Sequence, residues 1–540
     1  LQRVISQLIP LSKNYHCVVD NPPYMGGGNM NKELSTFVKK NYPDSKADLM
    51  ACFMEVGLAS LHSKGFLGMI NQHSWMFLSS YEKLREKLIN NIQFDTLLHL
   101  GPRTFPEIGG EVVQNASFTF LNAKPTYKGS YVRLVDYENS ELKRNKTLEA
   151  IQNAQCGWFY TANQKEFKNI PGVNIGYWVY RIDLTIFKNK PKLHEIIPTR
   201  QGMATANNEK FLRNWNEIEL STYDTCCNSI NERCSEKKWY PYNKGGTFVK
   251  WFGNQNLVIA FDNLNFKILS NQGNHCPSRE RYFQPSLSWT LLVSNTFGAR
   301  YVINHIFDVN GMSAFPSGDN LLYILGLFNS KVCYHFLTII NPTLAFQKGN
   351  IDQLPLILSE KFDIEISAHN IKFSKFYWDS HETSWDFKTS PLIDLTINEH
   401  GIDTQQLDFQ AHISSLKDNV LLQQAYDRYK LKWSEMFFQL HRNEEELNRQ
   451  FIEIYGLQDE LTPDVPLEEI TILQEETSIE NGELVFHADE VFAQFVSYAV
   501  GCMFGRYSLD KEGLILANQG ETLQDYLEKV GRGEEELTFV

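Results

Sequence analysis

Apolar residues in the first 125 positions fall into short runs separated by amphipathic stretches. Short apolar runs predict buried strands, and apolar residues spaced i, i+3, i+4 predict helices. In chain order the pattern predicts a strand before Asn21, a helix over 48–61, strands over 65–70, 94–100 and 112–121, and a helix over 81–89 between the second and third strands. This alternation is typical of a doubly wound α/β sheet, of which we expect to see the second half, and in which ligands bind at the carboxyl ends of the strands.

The turn Asn21-Pro22-Pro23-Tyr24 directly follows the first strand. An exocyclic amine on a nucleobase is a poor nucleophile, because its lone pair is delocalised into the ring. The Asn21 side-chain oxygen can accept one amine hydrogen and the Pro22 carbonyl the other, while the two prolines stiffen the turn. Tyr24 offers a flat face on which a base turned out of the duplex can stack. The turn therefore predicts a site for amine methylation that works by alignment and needs no strong base.

The alternative is a Pro-Pro turn that happens to be flanked by Asn and Tyr. The strands and helices that follow it favour the enzymatic interpretation. The glycines of Gly26-Gly-Gly-Asn29 are expected to let the backbone clear a flipped base, because a lone glycine run is a weak phosphate signal.

Composition bounds the class of protein. With 540 residues, of which 42% are apolar and 21% charged, the chain has material for about two to four domains. The net charge of −13 is uneven: Lys and Arg against Asp and Glu number 22 to 16 over residues 1–190, 15 to 13 over 191–360 and 14 to 35 over 361–540. The last segment repels phosphate and is expected to be solvated or turned toward protein partners, whereas the first two can meet DNA if their cations share a face.

Nine cysteines are scattered without CxxC spacing. A zinc cluster of Cys226, Cys227, Cys234, His275 and Cys276 has irregular spacing, so we expect reduced thiols and no structural metal. No apolar run reaches the length of a membrane helix and no signal-peptide layout is present, so we expect a soluble cytoplasmic protein.

Several blocks of sequence resemble those of a known protein family. These are Asn21–Tyr24 with its flanking elements, 199–208, 238–246, 251–254, 329–331 with 341–343, and 497–510. Together they resemble the adenine-specific DNA methyltransferases of the BREX phage-defence system, and the last block is the most specific to that family. The resemblance implies transfer of a methyl group from S-adenosylmethionine to adenine N6 in double-stranded DNA, with other BREX proteins as partners.

One departure from the family matters. Enzymes of this class hold S-adenosylmethionine through a Gly-rich loop and an acidic residue that precede the catalytic turn, and only twenty residues precede Asn21. We therefore expect an internal fragment in which Asn21 is the one residue close to the cofactor. Two alternatives stay open: part of a bifunctional restriction-modification enzyme, and a DNA-binding fragment without catalysis. A small protein or ribosomal-RNA methyltransferase is disfavoured by the long sequence that follows the catalytic half.

The resemblance also assigns regions and residues. We expect a catalytic domain over 1–150, a mixed α+β target-recognition domain over 151–360, a helical spacer over 361–475 with an acidic linker over 461–484, and a helical segment over 476–540. Phe118 and Phe120 point to one face of a strand and are candidates for the second wall of a base pocket, with Phe120 favoured. The loop over 241–246 is interpreted either as DNA-facing or as a hairpin over packed aromatics, and the resemblance favours the first. Candidate DNA contacts are cationic: Arg200, Arg213, Lys244, Lys250, Arg279, Arg281 and Lys348.

Overall fold

The computed structural model describes residues 8–10, 12–105, 113–233, 237–291, 296–342, 345–393 and 422–537. They divide into two compact units. Unit 1 comprises Leu1–Pro191 and Phe336–Thr343, and unit 2 comprises Lys192–His335 and Leu344–Val540. The predicted α/β class is confirmed, since both units combine helices with sheets.

Unit 1 contains one six-stranded sheet and the helices between its strands. In chain order its main elements are β1 (Tyr15–Asp20), α1 (Lys32–Asn41), α2 (Leu49–Ala59), β2 (Leu61–Gln72), α3 (Glu82–Asn91), β3 (Gln93–Gly101), β4 (Asn115–Leu121), β5 (Gly129–Arg133), α4 (Ser140–Gln152), β6 (Phe159–Ala162) and α5 (Arg181–Asn189).

The strands of this sheet lie in the order β1-β2-β4-β3-β5-β6. β1 is parallel to β2 and β3 is parallel to β5, while β4 is antiparallel to both β2 and β3. It follows that β1, β2, β3 and β5 all run in one direction, so their carboxyl ends lie along one edge. β4 begins at that same edge, because Asn115 pairs with Gln72 at the end of β2 and with Gly101 at the end of β3.

Close packing fixes the helices on this sheet. A Cβ at Gly57 would lie 2.8 Å from Leu67 Cδ1, so the glycine lets α2 approach β2 closely. Arg85 on α3 is fully buried and donates hydrogen bonds to the carbonyls of Trp75 (2.9 Å), Leu78 (2.7 Å) and Gly172 (2.6 Å). A buried guanidinium is tolerated when its donors are satisfied, and here it ties the segment after β2 to the short 3-10 turn Pro171–Val173.

Unit 2 contains two four-stranded sheets, a hairpin and a set of helices. Its elements are α6 (Leu193–Ile196), β7 (Thr199–Arg200), α7 (Asn208–Phe211), β8 (Leu212–Asn214), β9 (Trp239–Asn243), β10 (Leu257–Ala260), α8 (Asn263–Ser270), β11 (Ser286–Trp289), β12 (Ala299–Val302), β13 (Ile306–Phe307), β14 (Ser313–Ala314), α9 (Asn320–Phe328), α10 (Lys331–Ile340), α11 (Lys348–Asp352), α12 (Ile364–Asp379), α13 (Leu422–Tyr455), β15 (Thr477–Glu480), β16 (Glu483–Phe486), α14 (Ala488–Met503) and α15 (Leu523–Val530). The part of α10 from Phe336 onward belongs to unit 1.

The two sheets of unit 2 have the orders β13-β9-β10-β8 and β12-β11-β14-β7. The apolar run Leu257–Ala260 forms β10 of the first sheet. β11 of the second sheet ends at Trp289. The apolar core beside the first sheet includes Cys227 and Cys276, whereas Cys234 lies outside the described residues.

Two boundaries differ from the predictions. α4 crosses the break predicted at residue 150 and β6 lies beyond it in the same sheet as β5, so the first compact unit runs to Pro191. The region predicted as a helical spacer contains one continuous 34-residue helix, α13. The predicted linker contains the hairpin β15–β16, because Asn481 and Gly482 take the positive φ angles, 52° and 82°, of a tight two-residue turn.

In the described part of the chain, no single helix is long and apolar enough to cross a membrane. One bent pair, α9 with α10, passes by length and composition alone.

Candidate functional site

The carboxyl edge of the unit 1 sheet gathers polar and aromatic side chains from several strands. The Asn21–Tyr24 turn follows β1, His73 follows β2, His99 lies near the end of β3 and Arg133 ends β5. Asn115, at the start of β4, lies between them in the strand order. This is the edge at which ligands of open α/β sheets bind.

The four side chains of the turn after β1 differ in their exposure to solvent. Asn21 and Pro23 are exposed, Pro22 is buried and Tyr24 is half-buried. An exposed amide beside a half-buried ring suits a ligand that enters from solvent and comes to rest on the ring. The four residues predicted to be catalytic therefore lie together at the edge that the strand pattern predicted.

The far side of the turn is clamped to the start of α2. The Asp48 carboxylate accepts hydrogen bonds from the backbone N–H of Met25 (3.0 Å) and from that of Met50 (3.0 Å). It thus caps the helix N-terminus and holds the turn with one oxygen, Oδ1. The Leu49 N–H also donates to the Met25 carbonyl at 3.1 Å, which fixes where the chain leaves Tyr24.

Tyr24 is held from the sheet side by Asn115. The Asn115 Nδ2 donates to the Tyr24 hydroxyl oxygen at 3.0 Å. Burial raises the pKa of the Tyr24 phenol, and the hydrogen bond from Asn115 opposes that shift. The phenol is therefore neutral at physiological pH.

A pair of neutral histidines lies next along the edge. His73 Nδ1 and His99 Nε2 are 2.8 Å apart, and His99 Nδ1 is 3.0 Å from the Tyr177 hydroxyl. Burial, assisted by the charge of Arg133, lowers the pKa of His73 to about 4. Burial also lowers the pKa of His99 well below its usual value, with a further contribution from His73. Arg133 itself lies 4.9 Å from the ring centre of Trp178.

The two phenylalanines predicted for a base pocket lie elsewhere. Phe118 is 2% exposed and Phe120 fully buried, and their rings stack on each other at 4.3 Å. Trp75 packs edge-on against both. The prediction that they share a face of the strand is confirmed, but that face is the core face, so this structure gives neither ring a surface for a base.

Four of the predicted DNA-contacting cations lie around β7 in unit 2. Arg200 lies 3.9 Å from Glu280, within the short 3-10 turn Arg279–Arg281. At the preceding position of β7, Thr199 donates to Asp352, which also pairs with Lys348. We call Arg200, Arg279, Arg281 and Lys348 the β7 cluster.

The remaining three cations differ in their surroundings. Arg213 is exposed and Lys244 half-buried. Lys250 is 3% exposed and its Nζ lies 2.8 Å from Glu444, which also accepts from Trp251 Nε1 at 2.7 Å. The predicted DNA contact of Lys250 is therefore corrected: a buried ammonium held by a carboxylate cannot reach a phosphate.

The aromatics of the loop over 241–246 are packed beneath it. Tyr240 and Tyr242 are fully buried, and the Tyr242 hydroxyl donates to Asp308 at 2.5 Å. Gly245 and Gly246 take positive φ angles of 93° and 129°, and Gly246 is exposed. The packing interpretation thus holds for the two tyrosines, and Lys244 remains the loop's candidate for contact with DNA.

Sequence reasoning missed Asp48, His73, His99 and Asn115. Asp48 carried a usable signal, since Asp directly before an apolar helix predicts an N-cap. The partners of the other three come from distant strands, so the sequence offered no comparable local signal.

Part of the chain is similar to the restriction-modification methylases. Residues 6–105 match the family model "Eco57I restriction-modification methylase". That range contains the turn, the two histidines and the clamp at Asp48.

Two particular relatives match almost the whole chain. It is 35% identical over 519 residues to the adenine-specific methyltransferase PglX of Lacticaseibacillus casei (strain Zhang), covering 94% of this chain and 41% of that protein. It is 35% identical over 528 residues to the adenine-specific methyltransferase BrxX of Escherichia coli O9:H4 (strain HS), covering 96% and 40%. The resemblance predicted from the motifs is confirmed, and the chain spans about two fifths of the length of these relatives.

Among solved structures, the type IIL restriction-modification enzyme MmeI in complex with DNA aligns with a TM-score of 0.49 and 14% identity, over 84% of this chain and 56% of that chain.

The histidine pair predicts a pH dependence of stability. The fold lowers the pKa of both rings, so the unfolded chain takes up protons first as the pH falls. Stability present above about pH 6.5, the usual histidine pKa, should be lost progressively toward pH 4, the value for His73. In urea unfolding across this window, His73→Gln should lose less stability than the unsubstituted protein. His62→Gln, at an exposed position, is the control, and an unchanged slope in His73→Gln would contradict this account.

Proposed function

We propose that the protein containing this chain methylates the N6 amine of adenine in DNA at the carboxyl edge of the unit 1 sheet. The observation that carries the proposal is the placement of an exposed Asn21 beside a half-buried Tyr24, at the end of β1. The two relatives named as adenine-specific methyltransferases support the choice of target base.

The chemistry follows from the turn. The Asn21 side-chain oxygen and the Pro22 carbonyl each accept one hydrogen of the adenine amine, which localises the nitrogen lone pair toward the methyl donor. Tyr24 stacks on the extruded base and holds its plane against the turn. The Asp48 clamp keeps these groups in place before the base arrives, so alignment costs little when the complex forms.

S-adenosylmethionine supplies the methyl group when bound, as the resemblance implies. Of the described residues, only Asn21 is a candidate neighbour for its methyl end. The described residues offer no Gly-rich loop after a strand with an acidic partner on the next strand, so they do not by themselves fit the rest of the cofactor.

The free edge of β1 supports a proposal about where the remaining cofactor-binding residues lie. Among the described residues β1 pairs with β2 alone, and Val19 on it is 80% exposed. Phe66 on β2 is also 42% exposed. We propose that unit 1 is the second half of a doubly wound methyltransferase sheet and that further strands extend it past β1, because an open apolar edge is normally covered. The relatives have length to supply such strands.

Unit 2 is proposed to contact DNA through the β7 cluster, joined by Arg213 and Lys244. The four cations of the cluster are exposed or half-buried, which leaves them able to neutralise phosphates or to read guanine. The acidic segment from residue 361 is proposed to face partner proteins of the BREX type. A DNA-binding fragment without catalysis is the second candidate for the chain alone, favoured by its poor fit to the cofactor.

Replacing Asn21 tests the chemistry. In the protein at its natural length, Asn21→Ala should lower the rate of adenine N6 methylation by about 100-fold or more, since one of two aligned acceptors is lost. DNA affinity and the melting temperature should not change, because the side chain is exposed. Asn29→Ala, at a second exposed asparagine close by, is the control. Methylation at the unsubstituted rate in Asn21→Ala would overturn the site.

Replacing two cations of the β7 cluster tests the DNA surface. The double variant Arg200→Ala/Arg279→Ala should bind DNA more weakly and reduce the slope of log affinity against log salt by about 2, one unit for each lost phosphate contact. Fluorescence anisotropy at several salt concentrations measures this slope. Lys361→Ala removes a cation that is exposed and paired with Glu453 on the acidic segment, and should leave the slope unchanged. An equal slope in all three proteins would place the DNA elsewhere.

A further inference from the structure

The Asn115 side chain contacts two oxygen atoms through its amide nitrogen, Nδ2. Its Nδ2 lies 3.0 Å from the Tyr24 hydroxyl oxygen and 3.4 Å from the Asn71 carbonyl oxygen. The residue is 1% exposed, so water does not compete for these contacts. It opens β4 at the edge where the catalytic turn lies.

The Asn71 carbonyl settles which way the amide points. A carbonyl oxygen can only accept, so the atom of Asn115 that faces it must be the NH₂ group. The same nitrogen faces Tyr24, and its second hydrogen is therefore donated to the phenol oxygen. Asn71 is held in turn, because its Oδ1 accepts from Trp75 Nε1 at 3.1 Å.

Because Asn115 is the donor in its hydrogen bond to Tyr24, the phenol hydrogen of Tyr24 is free to turn toward the open side of the turn. Among the described residues, Asn115 Oδ1 accepts no hydrogen bond although it is buried. A buried amide with one unused acceptor is costly unless the fold gains something by it. What it gains here is a fixed orientation of the half-buried Tyr24 ring.

We propose that Asn115 is a positioning residue that holds the Tyr24 ring ready for the target base. The inference rests on the proposed function, because Tyr24 is taken there as the stacking face. A ring free to rotate about its side-chain torsions would have to be immobilised when the base arrives, and the bond from Asn115 removes that cost beforehand. Asn115 itself contacts no substrate, so its effect passes entirely through Tyr24.

A double-mutant cycle tests this in the protein at its natural length. Tyr24→Phe keeps the ring and removes only the oxygen that Asn115 holds, whereas Asn115→Ala removes the donor. Each single variant should raise the KM for DNA about 3- to 10-fold, the range of one net hydrogen bond, with kcat changed by less than about 2-fold. Fluorescence of 2-aminopurine at the target position should fall in both. The double variant should be no worse than either single one.

A purely structural role would give a different pattern. Thr119→Ala, on the same strand, breaks hydrogen bonds to Asp95 and Thr96 away from the turn, and should lower the urea midpoint without changing KM. Additive effects of Asn115→Ala and Tyr24→Phe, or an unchanged KM in Tyr24→Phe, would overturn the proposal.

The proposed function can fail separately. If the unsubstituted protein forms no N6-methyladenine, the reaction is wrong. The bond is still tested by the coupling of the two substitutions in urea unfolding, but its role in holding a base would then be overturned.

Discussion

The direction of four strands is the constraint on which the rest of unit 1 depends. Because β1, β2, β3 and β5 run the same way, the residues that follow each of them meet at one edge of the sheet. The antiparallel β4 adds to this edge in the opposite sense, since it begins where its neighbours end. A turn, two histidines and Asn115, separated by up to about a hundred positions in sequence, become neighbours for this reason alone.

Two side chains turn that neighbourhood into a preorganised site. Asp48 holds the chain just after Tyr24, and Asn115 holds the Tyr24 hydroxyl. Asn21 makes no such contact with the part of the chain that the structure describes and stays exposed, as a group that must meet a substrate should. The stiffness of the turn thus comes from its prolines and from the two contacts at its Tyr24 end, while the Asn21 side chain stays available to a substrate.

The sequence predicted the parts of this arrangement that depend on local pattern. Strands β1 to β4, the turn and its place at a carboxyl edge follow from apolar runs and from two adjacent prolines, whereas β5 and β6 were not predicted. Phe118 and Phe120 were predicted to share a face, which a period of two guarantees, but which face is core depends on Trp75 from another segment. The burial of Lys250 cannot be predicted from local sequence, because Glu444, its partner, lies 194 positions away in sequence.

The central claim is that a base extruded from DNA rests against Tyr24. Photo-crosslinking tests it most directly: 5-iodouracil replaces the target adenine in a duplex, the complex with the protein at its natural length is irradiated, and the linked peptide is identified by mass spectrometry. The account predicts a crosslink at Tyr24 that Tyr24→Ala removes. Crosslinks confined to unit 2, with none at the turn, would contradict it.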